Sequence, residues 1–161
     1  MRGTGRFGVV ALALAAAVGL LVGYAAGWLV PQLRTPADDS VEAGFTRDMI
    51  FHHAQAVEMG LTGFQRASDA DVRQVAVDIA ATQQGEIGMM HAWLGAWGLD
   101  PTGSDPAMAW MPAGMRDLGD DGLMPGMANA DEMTRLRGAT GNDLDVLLLQ
   151  LMIRHHLGGL H

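Results

Sequence analysis

Two stretches of this 161-residue chain carry the side chains best suited to chemistry, and they carry them in the same order. Residues 49–53 read Met-Ile-Phe-His-His and residues 152–156 read Met-Ile-Arg-His-His, pairing Met49 with Met152, His52 with His155 and His53 with His156. On a helix successive side chains turn by about 100°, which separates adjacent histidines and sets the methionine between them, one turn below. Each copy then offers two imidazoles and a thioether over one sector. That is a soft donor set, suited to Cu(I) and, by the same softness, to Ag(I). Zinc ordinarily recruits cysteine or more carboxylate, and the chain has no cysteine. A di-iron bundle needs Glu-x-x-His pairs and calcium an oxygen-rich loop pattern; neither occurs. Copper is the metal best matched. Asp48, four residues before His52, is expected to orient its ring.

Secondary candidates lie outside the two motifs. Residues 98–128 are rich in Gly, Pro and Asp and carry five methionines without helical periodicity, among them the pair Met124 and Met127. They read either as extra thioether ligands or as packing, since methionine fills irregular gaps. His91, next to Met89 and Met90, is a ligand or a polar rim residue, and the terminal His161 is a ligand or a frayed end. Trp93 and Trp97 are expected in a core, and Asp117, Asp120 and Asp121 in a solvated turn.

The elements that must position these groups are helical. Apolar residues recur at spacings of three and four from Phe45, predicting a first helix over 45–66. Ser-Asp-Ala-Asp at 68–71 reads as a capping box with Ser68 at its head, opening a second helix over 69–97. Its predicted stripe runs through Val72, Val75, Ile79, Thr82, Glu86, Met90, Trp93 and Trp97. Asn-Ala-Asp-Glu at 129–132 opens a short helix to about residue 139, and a last helix starts at Asn142. The first motif is followed by a long partner helix, whereas no such partner follows the second. The fold class expected is therefore an all-α, antiparallel bundle apparently lacking its last helix. Truncation of a longer two-repeat protein accounts for this, and a homodimer or partner protein covering the apolar face is the alternative.

Residues 7–30 contain no charge in 24 positions, roughly 36 Å of helix and enough to cross a bilayer. Arg2 and Arg6 precede them, which places the N-terminus in the cytoplasm and the remainder outside. A cleavable signal is the competing reading, with an apolar core of about 7–15 residues. The organisation expected is an anchor or signal at 1–30, a linker at 31–44 and a helical domain at 45–161. Beyond residue 34, seven arginines face all eighteen acidic residues, a net of −11. Such a body repels phosphate backbones, which argues against nucleic-acid partners and favours cations. No carboxylate-rich metal set or Ser-His-Asp arrangement is evident, so an enzyme is not expected.

The stretches FTRDMIFHHAQAVEMG, QQGEIGMMHAWL and LLLQLMIRHHLGGLH resemble the domain-of-unknown-function 305 family (DUF305), exported bacterial proteins of ferritin-like helical fold. The resemblance spans about 45–161 and implies Met49, His52, His53, Met59, Met152, His155 and His156 as metal ligands, because some members bind copper and protect against copper or silver. Members usually continue past the second motif through another methionine and a further helix. The function expected is Cu(I) or Ag(I) sequestration or handover by a membrane-held extracytoplasmic domain. The alternative is a helical interaction module with structural histidines.

Overall fold

In the computed structural model, which describes residues 4–33 and 35–160, Ser40 opens the helical domain. Its side chain accepts a hydrogen bond from the Ala43 amide, so helix α2 (Val41–Arg66) starts four residues before the first periodic apolar position. The linker is correspondingly shorter than predicted. Helices α3 (Ala70–Trp97), α4 (Ala130–Gly138) and α5 (Gly141–Gly158) follow, with one turn of 3-10 helix at Ala113–Met115 and no strand among the described residues. An N-terminal helix, α1 (Thr4–Leu33), forms a compact unit of its own within residues 1–36, and the rest forms a second unit within 37–161.

Helix α1 contains 23 consecutive residues, Gly8–Val30, of mean hydropathy 2.4 and with no share buried inside the protein. It is a candidate membrane span or signal. The helix continues through Pro31 to Leu33, three residues past the bound of 30 expected for the anchor. A proline in the last turn forfeits one main-chain bond without ending the helix.

The turn between α2 and α3 rests on a residue far away in sequence. Asp145, on α5, accepts hydrogen bonds from the Ser68 amide at 2.8 Å, the Ser68 hydroxyl at 2.5 Å and the Asp69 amide at 2.9 Å. The Ser68 bonds, with the amides, hold its carboxyl below the ordinary carboxylate range. Ser68 is thereby occupied, and Asp69 caps α3 by accepting from the amides of Asp71 and Val72, a correction to the predicted Ser68 cap. The capping box of α4 forms as the sequence suggests, Asn129 with Glu132.

The core joins Ala56 and Met59 of α2, Ala76 of α3, Met133 and Leu136 of α4, and Leu148, Leu151 and Met152 of α5. Small residues set the spacing of α2 and α3. A Cβ on Gly60 would sit 2.6 Å from the Ala76 carbonyl oxygen and 3.0 Å from the Ala80 Cβ. The buried stripe of α3 therefore runs through Ala76, Ala80, Gln83, Ile87, Met90 and Leu94. This corrects the predicted stripe: Trp93 is 48 % exposed and Trp97 half-buried, and the buried face at that end of the helix carries Met90 and Leu94. On the last helix Leu144, Leu148, Leu151 and Met152 are buried and the helix packs against α2 and α4, whereas a different apolar row is left exposed.

Candidate functional site

His52 and His53 on α2 and His155 and His156 on α5 meet at a cleft of about 420 Å³, completed by Met49 of α2, by Asp78, Ile79, Thr82, Gln83 and Glu86 of α3, and by Gly159 and Leu160. The His52 and His155 rings lie face to face, centroids 3.8 Å apart and tilted by 34°. His53 lies 6.3 Å from His52, and His156 lies 6.0 Å from His155. The two motifs, a hundred residues apart in sequence, form one cluster.

Burial opposes protonation of the central pair. His155 is 1 % exposed and His52 4 %. Desolvation, then repulsion from the neighbouring imidazoles, lowers the His155 pKa to about 3. Desolvation also lowers that of His52, against the raising effect of its bond to Pro125.

Each ring has one nitrogen facing an oxygen, and in the neutral form that nitrogen must carry the proton. His155 Nε2 donates to the His52 carbonyl at 3.1 Å and His52 Nε2 to the Pro125 carbonyl at 3.3 Å. His53 Nε2 donates to Glu86 Oε2 at 2.9 Å, and His156 Nδ1 to the Met152 carbonyl at 2.8 Å. The lone pairs thus fall on Nδ1 of His52, His53 and His155 and on Nε2 of His156, which accepts from Gln83 Nε2 at 3.1 Å. Nδ1 of His53 and Nδ1 of His155 are buried and have no hydrogen-bond partner at all. One nitrogen fixed by an outer oxygen and the other left bare is how proteins prepare histidines for a metal. Imidazole nitrogens suit zinc, copper, iron or nickel, and the Met49 thioether at the wall is the one soft donor beside them among the described residues lining the cleft. The enclosing geometry is not preassembled: among the described residues no three His, Asp or Glu side chains are grouped to hold an ion.

The remaining candidates are distributed unevenly. Met49 lines the cleft, whereas Met59 and Met152 lie in the apolar core. The two motifs are therefore not equivalent copies, because α5 turns Met152 to the same buried side as Leu148 and Leu151. Met124 and Met127 pack with Met108 in a separate apolar cluster. His91 is exposed on α3 and does not line the cleft; His161 lies outside the described residues. Asp48 does not orient His52. Its Oδ2 accepts from the Met108 amide and the Trp110 indole N–H, both at 2.7 Å. The sequence reading missed Gln83, Glu86 and Pro125 as ring partners; the spacing of three between Gln83 and Glu86 on one helix face is the signal that could have found the first two. A further cavity of about 540 Å³ lies around Arg47 and Trp110, and no histidine lines it.

The sequence profile of the family described as domain of unknown function (DUF305) matches residues 42–161. A crystal structure of a DUF305 protein from Streptomyces coelicolor, described as a candidate secreted protein, is similar at 49 % identity and a TM-score of 0.69, covering 78 % of this chain and 72 % of that one. A DUF305 fragment from Deinococcus radiodurans is similar at 33 % identity and a TM-score of 0.58, covering 73 % and 70 %. No curated protein sequence matches.

Proposed function

The chain belongs to the DUF305 family, and from that premise we propose that it binds a soft monovalent cation, Cu(I) or Ag(I), in the imidazole cleft, for sequestration or handover outside the cytoplasm. The observation that carries this reading is the shared arrangement of the four rings. Each commits one nitrogen to an oxygen, and two of the four opposite nitrogens are buried without a partner. A buried lone pair that meets no donor is a standing cost, and a cation removes it. The ligands proposed are His52, His53, His155 and His156, with the Met49 thioether at the wall of the cleft; Glu86 and the carbonyls of Pro125, His52 and Met152 hold the rings in register. Export is supported by the apolar helix α1 and by the description of the Streptomyces coelicolor neighbour. The cation is cargo, and no catalytic step is proposed.

The test is a Cu(I) titration of the full chain in detergent under reducing conditions. Tight stoichiometric uptake is expected, weakened by more than about 100-fold in His52→Ala/His155→Ala, beyond what loss of an orienting partner alone causes. Uptake unchanged in that variant rejects the cleft as the site.

A second reading has one observation in its favour. Val146, Leu149, Ile153, Leu157 and Leu160 form an exposed apolar row on and just beyond α5. Under it the histidines only brace the bundle, and this row docks a partner helix.

A further inference from the structure

Another cavity, of about 240 Å³, adjoins the cleft, and four of the twelve residues that line it are methionines. Met49, Met108, Met111 and Met124 contribute to its wall, together with His52 and Trp110. Met49, His52, Gly159 and Leu160 line this cavity and the imidazole cleft alike, so the two spaces share a wall. Met108 and Met124 belong to the packed apolar cluster of the loop, and with Met111 and Met49 they also border this open space.

The loop residues are held in place rather than loosely collapsed. Met108 has a left-handed backbone, φ +58°, the only non-glycine with positive φ among the described residues. Such a conformation persists where surrounding structure enforces it, and it concentrates at functional sites. The enforcing group here is Asp48, whose carboxylate oxygen binds both the Met108 amide and the Trp110 indole. On the other side His52 donates to the Pro125 carbonyl, fixing the residue after Met124. One helix turn, Asp48 to His52, therefore positions the loop methionines over the shared wall.

We propose that the cavity walled by Met49, Met108, Met111 and Met124 is a second soft-cation site, built of thioethers, through which Cu(I) or Ag(I) reaches the imidazole cleft. This deepens the proposed function and rests on it for the destination of the ion. Thioethers are neutral, soft and do not titrate, so they select a monovalent soft ion over harder divalent ones. Transfer is ligand exchange: thioether bonds to the ion break as imidazole bonds form at His52, and Met49 can remain bound on both sides. No electron moves and no proton is required.

The experiment is Ag(I) binding to the full chain in detergent, read as ions bound per chain and as methionine methyl shifts in a carbon-13 NMR spectrum. The intact chain is expected to take two ions. Met108→Leu/Met111→Leu/Met124→Leu, which keeps side-chain volume, should take one. His53→Ala/His155→Ala/His156→Ala should also take one, with the methyls of Met108, Met111 and Met124 still shifting. If the leucine variant keeps both ions, the thioether site is overturned. If the histidine variant keeps both, the cleft reading fails while the cavity stands. Should the leucine variant not fold, the intact chain decides: Ag(I) that leaves those three methyls unmoved overturns the proposal.

Discussion

His155 ties the site to the stability of the fold. An unfolded histidine titrates near 6.5, whereas burial holds His155 at about 3. Below about pH 6.5 the unfolded chain gains a proton that the folded chain refuses, so stability is full above that pH and falls as pH drops. The slope approaches about 1.4 kcal/mol per pH unit, or about 2 kcal/mol between pH 7 and 5, and flattens near pH 3 where the folded form also protonates. His52, shifted in the same direction, adds to it. Urea denaturation at pH 7 and pH 5 checks this, and His155→Gln should shed part of the slope; a pH-independent midpoint contradicts it. At this scale the sequence was informative about donors and silent about their partners. The doubled motif identifies the four histidines from spacing alone. Pro125, 73 residues from the His52 ring, has no local signature, and Glu86, 33 residues from His53, is marked only by its spacing of three from Gln83. Asp48 shows the hazard: its helical spacing from His52 suggested a contact, yet a loop sixty residues on supplied stronger donors.

The helices themselves follow from capping and periodicity, and the departures occur where helices touch. Sequence periodicity marks apolar residues, whereas the close contact at Gly60 selects small ones, so the stripe through Val75 and Ile79 gave way to Ala76 and Ala80. A glycine contact also locks the loop to α5. A Cβ on Gly158 would collide with the Pro125 carbonyl, and would sit 2.5 Å from the Gly126 amide; Gly126 itself has φ +78°. Gly158→Ala should therefore push the Pro125–Gly126 turn off the helix, costing roughly 1–3 kcal/mol as an overpacking change. It should also release His52 from its carbonyl. Faster proteolytic cleavage within residues 99–128 is the expected readout, and cleavage at the original rate contradicts the contact. Gly60→Ala should destabilise by a similar amount, about 1–3 kcal/mol, without exposing the loop.

The whole molecule joins an apolar helix, legible from composition alone, to an acidic helical body. The apolar residues of the last helix do not all share one face. The structure resolves two: Leu148 is buried, whereas Ile153 is 61 % and Leu157 58 % exposed. Leu148→Ala should cost about 2–5 kcal/mol, and Ile153→Ala within about 0.5 kcal/mol. Equal losses in thermal melts would place the two faces wrongly. If the exposed row docks a second copy, Ile153→Ser/Leu157→Ser should abolish association in light scattering while leaving the melt unchanged. The central claim, that both histidine pairs converge to hold one kind of ion, is reached most directly by nitrogen-15 NMR of histidine-labelled chain titrated with Ag(I). The account predicts that Nδ1 of His52, His53 and His155 and Nε2 of His156 shift, while the nitrogens facing Pro125, Glu86, His52 and Met152 keep their protons. Ag(I) bound with all four imidazoles unmoved, or bound through the oxygen-facing nitrogens, would contradict it.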